Sequence, residues 1–164
     1  MSAPEEGVYF DLNANGQPVF TGWPIGKGNA FLVRDLNQNG QIDSGAELFG
    51  DATLLKNGER APNGFVALRE LDADGDGYIT AKDPAYAELR LWIDENHDGY
   101  TDPGELHTLA EFHIESLNLS YLEQNNTDVN GNQLREKSTF SLLVDNTLKV
   151  FSMIDVWFRT LTSF

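Results

Sequence analysis

"DENHDGYTDPGE", residues 94–105, places carboxylate and amide side chains at every second position before a glycine. A twelve-residue EF-hand-type calcium loop has this rhythm. It offers side-chain oxygens at positions 1, 3 and 5, a backbone carbonyl at 7, an often water-linked ligand at 9 and a bidentate glutamate at 12, with glycine at 6. The segment meets every position and departs only at position 8, where Thr101 replaces the usual hydrophobic residue. The predicted ligands are Asp94, Asn96, Asp98, the Tyr100 carbonyl, Asp102 and Glu105.

A second loop, "DADGDGYITAKD", occupies residues 72–83. Its predicted ligands are Asp72, Asp74, Asp76, the Tyr78 carbonyl, Thr80 and Asp83. The closing residue is aspartate, which is one methylene shorter than glutamate, so bidentate closure is harder. The loop therefore predicts weaker calcium binding or better competition by Mg²⁺.

A third loop, "DLNQNGQIDSGAE", covers residues 35–47 and slips its register at the end. Position 12 is Ala46 and the acid follows one residue later. The predicted ligands are Asp35, Asn37, Asn39, the Gln41 carbonyl, Asp43 and Glu47. The sequence favours a longer calcium loop here, with an Asx-rich turn as the alternative.

Two further segments carry weaker signals. In "DLNANGQPVFTG", residues 11–22, Gly22 stands where a closing acid is needed, and Asn15-Gly16 between two apolar runs is a strong hairpin signal. A turn is favoured, and calcium binding by Asp11 and its neighbours stays open. "DVNGNQ", residues 128–133, has its glycine one place early and is interpreted as a loop without metal.

The charge of the chain is concentrated in these loops. The net charge is −15 from 11 basic and 26 acidic residues, and twelve of those acids stand at ligand positions of the loops beginning at Asp11, Asp35, Asp72 and Asp94. This excess excludes a basic nucleic-acid-binding surface. Three calcium ions would bring −15 to −9. We expect two to four bound ions, with three the favoured number.

Composition also bears on location. Cysteine is absent, so no disulfide stabilises the fold, and no apolar run reaches membrane length. The N-terminus has no signal-peptide pattern. A cysteine-free acidic chain with several calcium loops fits an extracellular setting in which calcium takes the stabilising role of disulfides.

The predicted fold class is α+β, with EF-hand-like calcium loops and short helices flanked by β-hairpins. Residues 1–164 are expected to form one calcium-binding domain with β-hairpins in 7–34, an EF-hand-like region in 35–114 and C-terminal strands in 116–164. Helices are predicted over 62–71, 84–92 and 104–114, with a single turn over 45–50, because apolar residues recur at helical spacing. A turn is predicted at Asp145-Asn146, and the segment after it is left as either helix or strand.

Several segments together resemble a known family. "TGW", "FLVRDLNQNGQIDSGAELFGDATLLKNG", "NGFVALRELDADGDGYI", "LRLWIDENHDGYTDPGELHTLAE" and "IESLNLSY" are similar to the calcium-dependent self-processing module of Frp-type RTX (haemolysin-type calcium-binding) proteins. The resemblance runs from about residue 8 to about residue 123. It implies part of a larger secreted bacterial protein, exported by type I secretion, that folds on meeting external calcium.

The resemblance also implies cleavage of an Asp-Pro bond upstream of the module, and the sequence departs there. The chain opens "MSAPEEGVYF", without Asp-Pro. The Asp83-Pro84 and Asp102-Pro103 bonds lie inside predicted calcium loops, where cleavage would destroy the sites.

The histidines His97, His107 and His113 form no zinc motif, and Trp23, Trp92 and Trp157 are assigned to core packing rather than to a binding groove. Enzymatic activity is therefore not favoured, and no catalytic residue is assigned.

The function predicted from the sequence is calcium binding, in a calcium-dependent folding module of a secreted bacterial RTX-type protein. One alternative is a truncated module for Asp-Pro self-cleavage and transpeptidation. The other is a calcium-stabilised adhesion or protein-interaction domain, in which the polar segment 123–136 would contact an external protein or glycan that the sequence does not identify.

Overall fold

The computed structural model describes residues 1–161; the end of the predicted C-terminal strand region, residues 162–164, lies outside the described residues. Strands predominate. They are β1 Val8–Phe10, β2 Val19–Thr21, β3 Phe31–Arg34, β4 Tyr78–Ile79, β5 Leu89–Trp92, β6 Leu106–Thr108, β7 Ile114–Asn118, β8 Leu122–Thr127, β9 Gln133–Val144, β10 Thr147–Trp157 and β11 Thr160–Leu161. One α-helix, α1 (Gly64–Arg69), and two 3₁₀ turns, Pro4–Glu6 and Pro84–Ala87, complete the described elements.

The strands form three antiparallel sheets. One has the order β1-β2-β11, the second β3-β5-β6, and the third β10-β9-β7-β4, with β8 also paired to β9. This arrangement is nearly all β, so the predicted α+β class with EF-hand helices is wrong. The loops follow strands rather than helices, except that α1 precedes the loop at 72–83.

The predicted helices at 84–92 and 104–114 fail because strand pairing overrides helical spacing. Residues after the short 3₁₀ turn enter β5, the central strand of its sheet, which pairs with β3 on one side and β6 on the other. Its terminal residues Leu89 and Trp92 are fully buried, so the three-residue spacing that suggested a helix face serves a strand equally well. In the segment 104–114, strand β6 is followed by a turn ending at His113, whose φ is 53°.

Helix α1 confirms the helix predicted within 62–71. The Asn63 side chain accepts a hydrogen bond from the Val66 amide and caps the first turn. Phe65 and Leu68 are buried, as their helical spacing predicts. The helix has six residues, and among residues 1–161 no helix is long and apolar enough to cross a membrane.

Two hydrophobic clusters form the core. The first contains Val8, Phe10, Trp23, Val33, Ile42, Leu48 and Trp92. The second contains Leu68, Ile79, Leu89, Leu109, Ile114, Leu117 and Leu119. Trp23 and Trp92 meet edge-on with ring centroids 5.5 Å apart, so their predicted core role is confirmed. Trp157 instead lies at the end of β10 with the Arg135 guanidinium 3.6 Å from its ring centroid.

A long hairpin of β9 and β10 resolves the open question at the C-terminal end in favour of strand. Val144 pairs with Thr147, so the predicted turn is the two residues Asp145 and Asn146, with φ of 49° and 56°. Positive φ at both central residues is the type I′ geometry that matches the twist of paired strands, and Asn and Asp tolerate it.

Three acidic residues lie side by side across this sheet. Glu136 on β9 pairs with Glu123 on β8 and with Asp155 on β10. The Oε2 atom of Glu136 is buried without a hydrogen-bond partner among the described residues. Burial first, and then the charges of Asp155 and Glu123, raise the pKa of Glu136, against a partial lowering by Arg135. Burial also raises the pKa of Asp155, with a further contribution from Asp51.

The acidic row makes a prediction about pH. Because the pKa of Glu136 is raised on folding, its stabilising contribution is present below the ordinary glutamate pKa and is lost as pH rises through the folded-state value. Glu136→Gln cannot ionise, so we expect it to raise the free energy of unfolding at pH 7 by up to about 1 kcal/mol and to change it less near pH 4. Urea unfolding at both pH values measures this difference. Glu115→Gln, on the exposed side of β7, is the control; an equal gain for both variants would contradict the prediction.

Candidate metal-binding loops

The three best loops share one backbone conformation. Their sixth residues, Gly40, Gly77 and Gly99, have φ of 80°, 85° and 77°. Their fourth residues also lie in the left-handed region, with φ of 57° at Gln38, 72° at Gly75 and 57° at His97. Two of these are not glycine, and such residues adopt positive φ uncommonly. The common conformation therefore follows from the loop pattern and not from glycine freedom alone.

The first carboxylate of each loop is held in the same way. One oxygen of Asp35, Asp72 and Asp94 accepts a hydrogen bond from the glycine amide at position 6, at 2.8, 2.9 and 2.9 Å. The other oxygen accepts an amide at position 4 or 5. The side chain at position 5 accepts the amide at position 7, as Asp98 does from Tyr100 at 2.8 Å. These contacts turn the side chains of positions 1 and 5 back over the loop.

The closing carboxylates have a common arrangement that the spacing in the sequence conceals. Each accepts the backbone amide of position 2 on one oxygen and that of position 9 on the other. The Glu47 carboxylate accepts the Leu36 and Asp43 amides at 2.9 and 2.7 Å. The Asp83 carboxylate accepts the Ala73 and Thr80 amides at 2.8 and 2.9 Å. The Glu105 carboxylate accepts the Glu95 and Asp102 amides at 2.9 and 3.0 Å. The late acid Glu47 and the short acid Asp83 therefore close their loops in the same manner as Glu105.

These closing carboxylates are buried. Glu47, Asp83 and Glu105 have exposed fractions of 5%, 2% and 6%, and the ion pairs found within residues 1–161 include none of them. Burial alone would raise the pKa of Asp83, but the amides of Thr80 and Ala73 outweigh it and lower that pKa. The carboxyl is thus kept ionised by fixed backbone dipoles.

The remaining predicted ligands surround the same loop centres. One carboxylate oxygen from each of Asp72, Asp74 and Asp76 lies within 4.8 Å of the others. In the other two loops, asparagine side chains donate hydrogen bonds to the acidic ones. Asn39 Nδ2 donates to Asp43 at 2.8 Å, and Asn96 Nδ2 donates to Asp102 at 2.9 Å. All the candidate ligand atoms are oxygens, which is the donor set of Ca²⁺ and Mg²⁺ and not of thiolate- or imidazole-binding metals. The residues present fit a hard divalent cation.

The structure places the other predicted ligand residues as follows. Asn37 Oδ1 accepts the Asn39 amide at 3.0 Å. Gln41, Tyr78 and Tyr100, which were predicted to contribute only their carbonyl groups, have exposed side chains. Thr80 Oγ1 accepts the Lys82 amide at 3.2 Å.

Loops 35–47 and 94–105 are joined to each other at position 8. The Ile42 amide donates to Thr101 Oγ1 at 3.0 Å, and both residues are buried. This contact accounts for Thr101, the one departure from the loop pattern. It spans 59 residues of sequence, so no local signal predicts it.

Strands hold these two loops in place. Loop 94–105 connects β5 to β6, whose residues Trp92 and Leu106 are paired. Loop 35–47 follows β3 and returns through a bridge between Val33 and Leu48. Both loops therefore close β-hairpins, in place of the helix pairs that the sequence suggested.

Two core tryptophans donate to carboxylates of loop 94–105, which the sequence analysis missed. Trp23 Nε1 donates to Asp94 Oδ2 at 2.7 Å, and Trp92 Nε1 donates to Glu105 Oε2 at 3.3 Å. Both indoles are buried. The first and last acids of this loop are thus in direct contact with the first hydrophobic cluster.

The weaker loop at residues 11–22 has only the opening half of the pattern. Asp11 accepts the amides of Asn15 and Gly16 at 3.1 and 2.8 Å, and Gly16 has φ of 77°. The loop connects β1 to β2, whose closing pair is Phe10 and Val19. At the closing position Gly22 has no side chain to contribute. In segment 128–133, Asp128 accepts the amides of Asn130 and Asn132, both at 2.9 Å.

The polar segment 123–136 spans most of β8 and the beginning of β9 and lines a cavity of about 360 Å³. Its lining is polar and includes Glu123, Asn126, Gln133, Arg135 and Glu136. Binding of an external protein or glycan at this segment stays a prediction.

The contact between the two loops makes a prediction. Thr101→Val removes the acceptor of the buried Ile42 amide, so we expect the free energy of unfolding to fall by about 1–3 kcal/mol. Thr101→Ser keeps the hydroxyl and is the matched control, with a smaller expected loss. Denaturant unfolding of the three proteins in one buffer measures both. A valine variant as stable as the serine variant would show that the contact does not stabilise the fold.

Comparison with known proteins shows the family to which the chain belongs. A family model described as the SPM domain matches residues 1–159. The sequence is 43% identical over 148 residues to the iron-regulated protein FrpA of Neisseria meningitidis serogroup C, and the aligned region covers 90% of this chain and 13% of FrpA. The chain thus spans a small part of that relative's length, and the resemblance to an Frp-type module is confirmed, while self-processing stays a prediction. By the extent of the family match, the chain belongs to the SPM-domain family.

Proposed function

We propose that the chain binds calcium through loops 35–47, 72–83 and 94–105, and that the bound ions stabilise its fold. The observation that carries this proposal is the threefold repetition of the closing arrangement, in which a buried carboxylate bridges the amides of positions 2 and 9. Three loops of different sequence and closing length are built alike. A solvated acidic turn has no need of such a closure.

The role of an ion follows from the charges. Asp72, Asp74 and Asp76 bring three carboxylate oxygens within 4.8 Å of one another, and among residues 1–161 only Lys82 forms an ion pair with them, at 3.7 Å from Asp76. Such an arrangement opposes folding until a cation compensates it. When bound, calcium supplies that positive charge. The protein's part is to orient the oxygens and, in loop 72–83, to keep the closing carboxylate of Asp83 ionised.

Mass action converts binding into stability. An ion that binds only the native state adds about 2.7 kcal/mol per site at a hundredfold excess over its dissociation constant. Sites with the affinity of extracellular modules fill at millimolar calcium and stay empty at cytosolic concentrations. We therefore propose a module of a secreted bacterial protein that becomes stable after export, in keeping with the family relation to FrpA.

A calcium titration of chelated protein tests the proposal. Near-UV circular dichroism is the first readout, because Trp23 and Trp92 donate to Asp94 and Glu105. Calorimetry run in parallel counts the ions. We expect two to four ions, three being favoured, and a gain of rigid tryptophan signal. A chelated protein with unchanged signal and negligible binding heat would refute the proposal.

A matched pair of variants assigns the response to a loop. Glu105→Gln keeps the size of the closing side chain but removes its charge, so we expect at least about tenfold weaker binding at one site. Glu115→Gln, an exposed change outside the loops, should bind as the parent does. Equal affinity in both variants would remove Glu105 from the ligand set.

Calcium-dependent cleavage of an Asp-Pro bond is the second candidate function, implied by the resemblance of the sequence to the self-processing module of Frp-type proteins. Within the chain, Asp83 is buried and both its carboxylate oxygens accept backbone amides, and the Asp102 carboxylate accepts a hydrogen bond from Asn96 Nδ2 at 2.9 Å. Neither aspartate is free to attack its own peptide carbonyl. Any cleaved bond would therefore lie in a segment outside this sequence.

This reasoning predicts that the chain stays intact in calcium. Intact mass spectrometry after prolonged incubation at millimolar calcium should give a single unchanged mass. Fragments ending at Asp83 or Asp102 would contradict the prediction. A fusion carrying an upstream Asp-Pro segment, with a chelated sample as control, tests whether the module can cut such a bond.

A further inference from the structure

Strand β10 forms one edge of its sheet. It has eleven residues and pairs with β9 on one side, and no strand within residues 1–161 pairs with its other side. The two-residue turn makes Val144 and Thr147 a hydrogen-bonded pair, and such pairs alternate along an antiparallel ladder. The backbone N–H and C=O groups of Leu148, Val150, Ser152 and Ile154 consequently point away from β9.

This edge lacks the features that usually prevent edge pairing. Proteins protect long edges with charges, prolines or bulges. Between Leu148 and Ile154 there is no proline, the only charge is Lys149, and the bulge comes later, at Asp155 and Val156. Val150 is 63% exposed, and Leu148 and Ile154 are also exposed. The edge therefore offers both backbone groups and apolar side chains to another strand.

The sequence of the edge complements itself. If a second β10 lies antiparallel with the two-fold axis at Ser152, Val150 faces Ile154, Phe151 faces Met153 and Lys149 faces Asp155. Apolar residues meet apolar residues, the basic residue meets an acidic one, and outward backbone groups meet outward backbone groups. Moving the axis to Phe151 would place Lys149 opposite Met153 and Val150 opposite Ser152, which loses both matches.

We propose that two copies of the chain associate through antiparallel pairing of their β10 strands over residues 149–155, forming one continuous sheet. A two-fold contact of this kind uses the same patch on both copies. Asp155 Oδ2 already accepts the Gly64 amide at 2.6 Å, and the proposed pairing assigns Oδ1 as the acceptor for Lys149 of the second copy. Because each copy carries −15, long-range repulsion opposes association and added salt strengthens it.

Sedimentation of the full chain over roughly a hundredfold range of concentration tests the dimer. Ser152→Pro removes one outward N–H per copy and leaves the pairs with β9 intact, because proline is tolerated where an edge N–H faces solvent. We expect it to weaken association by about tenfold or more. Ser152→Ala keeps the N–H and should dimerise as the parent does. A parent that is monomeric throughout, or a dimer unaffected by Ser152→Pro, overturns the proposal.

Cross-linking tests the register independently of affinity. The chain has no cysteine, so Ser152→Cys introduces one thiol per copy, directly opposite the other across the axis. The Cα atoms of such a pair lie about 5.5 Å apart, within the range of a disulfide. We expect mild oxidation to link Ser152→Cys into dimers and to leave Thr147→Cys, at the far end of the strand, unlinked. Equal linking of both variants, or of neither, overturns the register.

Discussion

The closing carboxylate of each loop is the interaction on which the rest of the structure depends. A buried ionised carboxylate is costly unless hydrogen bonds replace its hydration. Glu47, Asp83 and Glu105 obtain those bonds from two amides that lie seven positions apart in the loop. Each carboxylate therefore ties the beginning of its loop to the end. Because Glu105 also accepts from Trp92, the same bond network extends into the hydrophobic core.

The loops could be predicted from the sequence because their signals are local. Alternating acids and amides before a glycine describe a conformation that depends on a few successive residues, and α1 likewise carried its own cap, Asn63. The predicted helices beside the loops had no such support. They depended on apolar spacing alone, and the spacing of Leu89 and Trp92 fits a strand as well as a helix. Pairing of β5 with two neighbours decided the outcome, and that pairing is long-range.

The sequence also did not show which backbone amides the closing side chains would contact. Glu47 falls one place late and Asp83 is one methylene short, yet both contact the same pair of loop positions. Glutamate at the thirteenth position contacts both amides in loop 35–47, and aspartate at the twelfth position contacts both in loop 72–83. The contact of Thr101 with Ile42 lay beyond prediction because its partner is 59 residues away.

Carboxylates in two parts of the molecule show opposite behaviour for one physical reason. Asp83 is buried and its pKa is lowered, because backbone amides point at it. Glu136 is partly buried and its pKa is raised, because burial and its acidic neighbours outweigh the positive charge of Arg135. Its Oε2 has no hydrogen-bond donor among residues 1–161. A cation bound in the loops would compensate the charges of the loop carboxylates, such as Asp83, but not those of Glu136 and its acidic neighbours. Under the proposed function, cations set the stability of the loop region, whereas protons act on the β8–β9–β10 region, so the two parts of one acidic chain respond to different changes in the solution.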